Sequence, residues 1–174
     1  MESGVFLEFL DCVRLVFMRM ADSLRMFSTQ VSGPLGFHAA LASNRLRLVA
    51  ENLGHALKFA GASKEISSYE EAENRCGSLL KDIFNRLEGS LENLRRRLAA
   101  GNELDLRTEL DNFDDFLEMA ENAFTYFASD LMNLEDEKMK MLGFALRVSA
   151  EDIRLIRRRH DELRRSNKGL SFVR

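Results

Sequence analysis

Tryptophan is absent, proline occurs once and glycine only ten times in 174 residues, so the chain has few of the residues that break helices or punctuate short-strand folds. Alternation of apolar and polar residues is nowhere sustained, which argues against a sheet protein. Only two cysteines, Cys12 and Cys76, are present. They stand far apart without the spacing of a metal site or a redox pair, which favours a reducing, intracellular (cytoplasmic) setting, and nothing at the N-terminus has the pattern of a cleaved export signal. Glycine-rich phosphate loops, nucleophile elbows and cysteine-histidine signatures are also missing. A net charge of −3 argues against a nucleic-acid binder.

Leucine, alanine, arginine and glutamate are abundant instead, the composition of long helices. A chain of this length can bury roughly 70% of the surface its unfolded form exposes, enough for one domain without staples. The expected architecture is all-α: a single antiparallel bundle of four to five long helices over residues 1–166, followed by a loose tail at 167–174.

The clearest pattern runs through Leu106, Leu110, Phe113, Leu117, Ala120, Phe124, Phe127, Leu131 and Leu134. Steps of four and three keep these side chains on one seam of a helix. Between them stand Asp105, Glu109, Asp111, Asp114, Asp115, Glu118 and Glu121, which predict an acidic, solvated outer face.

The first helix is expected over 4–28, with Phe6, Leu10, Val13, Phe17, Met20, Leu24 and Phe27 in the same rhythm. Val5, Phe9, Cys12 and Val16 widen the stripe, and Leu7, Leu15, Met18 and Met26 leave even the outer face partly apolar. Glu8, Asp11, Arg14, Arg19, Asp22 and Arg25 interrupt it too often for a membrane span, which needs about 20 mostly uncharged residues. Such a helix is a central core element or a dimer seam, with a membrane-surface anchor as the third reading.

Gly33-Pro34 marks a restart, and a second helix runs to about residue 60 with Phe37, Leu41, Leu48, Val49, Leu53, Ala56, Leu57 and Ala60 on its apolar side. Gly61 is placed to cap it. A third helix begins with Ser68 as cap and Glu71 answering it, and Tyr69, Ala72, Cys76, Leu79, Ile83, Leu87, Leu91, Leu94 and Leu98 form its stripe. Gly77 and Gly89 inside it predict close approach of a neighbouring helix, since each costs about 1 kcal/mol against alanine. Turns are expected near Gly33, Ala62, Asn102 and Asn133.

The last apolar rhythm, Leu142, Leu146, Ser149, Ile153, Ile156, His160 and Leu163, is out of register with the seam before it. Either the chain turns near Asn133, which with Asp136 resembles a cap, or one very long helix changes its buried face there, and Ser149-Ala150-Glu151-Asp152 offers a second cap that would divide the segment. Residues 103–137 hold twelve acids and one base, and residues 138–174 hold eleven bases and four acids. Opposite charge favours folding the two back as a hairpin, although each exposed pair contributes only about 0.2–1 kcal/mol.

Gly54-His55-Ala56-Leu57-Lys58-Phe59 resembles the phosphoacceptor segment of histidine-containing phosphotransfer domains, helical bundles that shuttle a phosphoryl group between aspartates of receiver domains. The resemblance covers about ten residues. It implies that His55 accepts the phosphoryl group on its imidazole and that Lys58, one turn on, sets its cation beside the phosphoryl oxygens, with a receiver domain as partner. Phe59 stands where that family usually has glycine.

His38 and His160 carry no motif, and His160, at a seam position, is expected to be partly buried and hydrogen-bonded. Glu51 and His55 form a solitary pair without the matching acids of a di-metal bundle, so neither a metal nor a cofactor is expected. The clusters Arg95-Arg96-Arg97, Arg157-Arg158-Arg159 and Arg164-Arg165 are read as solvated faces pairing with acids, because consecutive arginines spread around a helix. Together these features favour a non-enzymatic interaction or adaptor protein that self-associates, on the strength of its unusually apolar first helix. A phosphorelay intermediate is the alternative, and a BAR-like helical dimer on a membrane surface is the third.

Overall fold

The computed structural model describes residues 3–30, 33–61 and 106–165, and between 70 and 96 residues 70–71, 74–77, 82, 85–86, 89, 92–93 and 96. The fold is all-α. Helix α1 spans Ser3–Ser28, α2 Gly33–Phe59, α3 Leu106–Met132 and α4 Glu137–Arg165. The described residues between 70 and 96 are helical as well, and among the described residues no strand occurs. The cap expected at Ser68, the turns expected near Ala62 and Asn102, most of the third stripe and the 167–174 tail lie outside the described residues.

Helix ends follow local chemistry. Gly33 and Gly61 adopt φ of 77° and 90°, the left-handed region that glycine enters without a Cβ clash, and so start and stop α2. The Asp136 carboxylate accepts hydrogen bonds from the backbone N–H of Lys138 at 2.8 Å and of Met139 at 3.3 Å, capping α4 as an N-terminal aspartate does. Residues 106–165 are therefore a hairpin. The second cap candidate does not act: the Ser149 hydroxyl donates to the Ala145 carbonyl at 2.7 Å within an unbroken α4, because a buried seam outweighs a local alternative.

Helix α1 packs on α2, α2 on α4, and α3 on α4. Each pair is antiparallel: α1 and α2 are joined by a short connection and meet again at Ser43 and Ala21, α2 and α4 meet at His38 with His160 and at Arg45 with Asp152, and α3 and α4 meet at Asp114 with His160 and at Glu121 with Arg154. Helices α1 and α3 meet through aromatic rings: Phe6 lies 4.9 Å from Phe127, and Phe17 lies 5.6 Å from Phe116 and 5.9 Å from Phe124. Leu7, Leu10, Cys12, Val13, Leu15, Val16, Phe17, Met20, Ala21 and Phe27 are all buried, so α1 is the central core helix. Its apolar excess is used inside the chain, and the dimer-seam and membrane-anchor readings of this helix lose their basis.

Three further expectations are corrected. Cys12 and Cys76 are joined as a disulfide with Cα atoms 5.6 Å apart, tying α1 to the helical residues between 70 and 96. Spacing along the chain does not reveal a pairing made between helices, and since disulfides persist in oxidising surroundings, the argument for a reducing setting no longer stands. Glu121 is buried rather than solvated. It accepts from Arg154 Nε at 2.8 Å and Arg157 Nη1 at 2.7 Å; burial opposes its charge, but the two guanidinium hydrogen bonds outweigh that, holding its pKa below the usual carboxylate value. Arg157 also lies 3.5 Å from Asp114 and 3.6 Å from Glu118, so the hairpin charges do meet, partly within the interface.

Close helix approach occurs at Gly143, and not at Gly77 or Gly89, where an added Cβ would meet nothing within 4 Å. At Gly143 a Cβ would meet Leu131 Cβ and Met132 Cγ at 3.0 Å and the Ala128 carbonyl oxygen at 3.2 Å. Leu131 Cβ and the carbonyl cannot swing aside. Gly143→Ala should therefore cost about 1–2 kcal/mol, overpacking exceeding the roughly 1 kcal/mol helix-propensity gain. At Gly54 the only near neighbours are flexible atoms of Arg14, the nearest at 3.3 Å, so Gly54→Ala should stabilise by up to about 1 kcal/mol. Urea unfolding of both variants checks the opposite signs; a stabilising Gly143→Ala would mean that α3 and α4 pack less tightly.

Candidate functional site

The α2 and α4 seams that turn inward leave a second row on each helix facing out. Asn52, His55, Ala56 and Phe59 of α2 and Met141, Phe144, Ala145 and Val148 of α4 line a groove of about 450 Å³. On both helices the spacing is three and four, so each row follows one face. Phe59 is 49% exposed and Phe144 60%, and Leu48 and Leu155, in the same steps beyond the groove, are exposed too. With a rise of 1.5 Å per residue, the rows from 48 to 59 and from 141 to 155 extend roughly 17 and 21 Å, about three turns of helix. The Lys138 ammonium lies 6.0 Å from the Phe59 ring centroid at one rim.

Apolar rings held in solvent on a rigid two-helix platform carry unspent burial free energy, about 25 cal/mol for each Å² that a partner would cover. The polar groups of the lining are the Asn52 carboxamide and the His55 imidazole, enough to orient a bound segment by hydrogen bonds but not to assemble an acid-base pair. His55 is exposed on α2, and Lys58, also exposed, follows one turn later. The structure thus brings the two predicted site residues to one stretch of surface and adds to it four α4 residues outside the motif.

Among the described residues no group of three or more histidine, cysteine, aspartate or glutamate side chains is placed to hold a metal ion. Arg96 is exposed and pairs with Glu92 at 3.4 Å, and Arg158 and Arg159 are exposed while Arg157 turns inward. No helix among the described residues is long and apolar enough to cross a membrane.

The apolar side that spacing predicts for α2 includes Phe37 and Leu48, yet both are more than half exposed, so the periodicity of α2 does not separate its buried row from its exposed one. A signal for the groove does exist in α4, where Met141, Phe144, Val148 and Leu155 form a second apolar row beside the buried Leu142, Leu146, Ile153 and Ile156. A helix with two such rows has more apolar surface than one interface uses. No protein-family model, curated protein or solved structure matches the chain.

Proposed function

We propose that this chain is a non-catalytic helical interaction protein that pairs with a second copy of itself through the α2/α4 groove. The observation that carries this reading is the row of solvent-exposed Phe59, Met141 and Phe144 beside a cleft of about 450 Å³. A projecting ring and a receptive cleft on one face are what a two-fold contact requires, because each copy must supply both. Rotated about an axis through the face, Phe144 of one copy enters the groove of the other, and α2 and α4 of the two copies form a four-helix interface.

Sedimentation at concentrations from micromolar to several hundred micromolar tests the proposal. The wild type should shift toward dimer as concentration rises, and Phe144→Glu should remain monomeric with unchanged helical dichroism. A strictly monomeric wild type, or a dimer that tolerates the glutamate, sinks it.

A second reading is favoured by one observation, the exposed His55 imidazole with Lys58 a turn away. Phosphoryl transfer asks mainly for a positioned nucleophile and cations near the phosphoryl oxygens, and a receiver domain would then be the partner. Incubation with phosphorylated receiver domains, followed by assay for acid-labile phosphate, distinguishes it: label on the wild type that disappears in His55→Gln supports the relay, and an unlabelled wild type rejects it.

A further inference from the structure

Among the described residues, a buried contact between two titratable rings is used by neither reading. His38, near the start of α2, and His160, near the end of α4, are 5% and 4% exposed, and their rings meet edge to face with centroids 4.7 Å apart. Neither nitrogen of His38 has a hydrogen-bond partner. Packing alone holds that ring, between two helices, at the end of the bundle opposite the Lys138 rim of the groove. A polar tie between α2 and α4, the Arg45 to Asp152 pair at 3.3 Å, lies about two turns away.

We propose that the His38 to His160 contact is a proton-sensitive latch, which joins α2 to α4 while the His38 ring is uncharged and opens this end of the bundle on acidification. An imidazolium at His38 would bring two N–H donors and a positive charge into a buried place where neither nitrogen has a hydrogen-bond partner, beside a second imidazole and the Arg159 guanidinium. The groups around the pair give it little relief. From α4 come His160, Arg159 and Arg157; from α3 comes Asp114, whose carboxylate lies 3.5 Å from His160 Nδ1 and 3.5 Å from Arg157 Nε. The cheaper response to a proton is for the first turns of α2 to part from the last turns of α4, exposing His38 to water.

The direction of the effect follows from linkage. Burial first, then His160 and Arg159, push the His38 pKa down to about 3, whereas a solvated imidazole titrates near 6.5. The opened form binds the extra proton over that whole interval. The latch therefore contributes fully above about pH 6.5, and its contribution is lost as pH falls toward the folded pKa, with opening favoured about tenfold for each pH unit. Opening exposes less surface than unfolding does, so helices α1 and α3 should keep their contacts.

Amide hydrogen exchange of the full chain between pH 7.5 and 4.5, corrected for intrinsic exchange rates, reads this directly. Wild-type protection in residues 36–42 and 156–161 should drop about tenfold per unit below pH 6.5, while residues 124–131 and 142–146 stay protected. His38→Phe, which keeps a ring without a titrating nitrogen, should abolish the local drop. Pressure on the fold from Glu121 and other carboxylates would affect both proteins alike; equal acid sensitivity of wild type and His38→Phe overturns the proposal. If the phenylalanine variant does not fold, the ¹⁵N signals of the wild-type imidazoles decide. A His38 ring that stays neutral until local protection is lost supports the latch, and one that titrates near pH 6.5 with protection unchanged overturns it.

Discussion

Replacing Phe17 by alanine should lower the unfolding free energy by about 3–5 kcal/mol, the range for removing a fully buried aromatic ring from a packed core. Phe17 has no solvent exposure and lies between Phe116 and Phe124, at 5.6 and 5.9 Å. Its ring is also part of the aromatic layer that joins α1 to α3, two helices whose backbones do not approach one another closely. The loss therefore combines transfer free energy, a cavity that straight helices cannot collapse into, and edge-to-face contacts worth about 0.5–1.5 kcal/mol beyond burial. For a chain of this size the melting temperature should fall by roughly 6–20 °C. Urea unfolding followed by dichroism at 222 nm measures it, with Phe144→Ala as a control. That ring is 60% exposed, so its removal should leave monomer stability within about 0.5 kcal/mol. A cost below 1 kcal/mol at Phe17 would show that α1 does not occupy the centre of the bundle.

Removing the Cys12 to Cys76 disulfide should cost about 4 kcal/mol on the loop-closure account, because it joins residues 64 apart in sequence. The cross-link restricts the unfolded chain far more than the folded one, in which both cysteines are buried and already adjacent. Unfolding in urea with and without a phosphine reductant, alongside a Cys12→Ala/Cys76→Ala variant, tests this. The reduced protein and the double variant should lose a similar amount. Alkylation in denaturant without reductant should modify neither cysteine, and labelling of both would show that the thiols are free and the staple absent. Complete burial of both sulfurs also predicts that the folded protein is reduced much more slowly than the unfolded one, since attack by a thiolate requires access to a sulfur.

These outcomes separate two kinds of information in the chain. Helix bounds were legible because they rest on short-range chemistry, the 3.6-residue period and glycine where φ turns positive at Gly33 and Gly61; the cap of α4 falls at Asp136, three residues beyond the Asn133 to which the sequence points. The seams were legible for the same reason, and Leu117, Ala120, Phe124 and Leu131 of α3 and Leu142, Leu146, Ile153 and Ile156 of α4 are buried as their spacing implies. Even the hairpin could be anticipated, since attraction between an acidic and a basic segment depends on their net charge more than on detailed geometry.

Glu121 marks the limit of that approach. Its position beside a seam residue says only that it lies near the edge of an interface, and the two arginines that make burial tolerable stand 33 and 36 residues away. His55 marks a related limit: spacing placed it on the surface of α2, but its groove is completed by a helix more than eighty residues on.

What the order of residues determined by itself is that the chain is all-helical, where α2 starts and stops, and most of the buried stripes of α1, α3 and α4, because those properties are settled within a few turns of chain. Only the tertiary structure decided that Cys12 meets Cys76, that α3 crowds Gly143, that His38 faces His160, and that one apolar row on α2 and one on α4 are left in water. Each of these depends on the rotation and height of one helix against another. That relation is set by the fit of many side chains at once, and no local pattern encodes it.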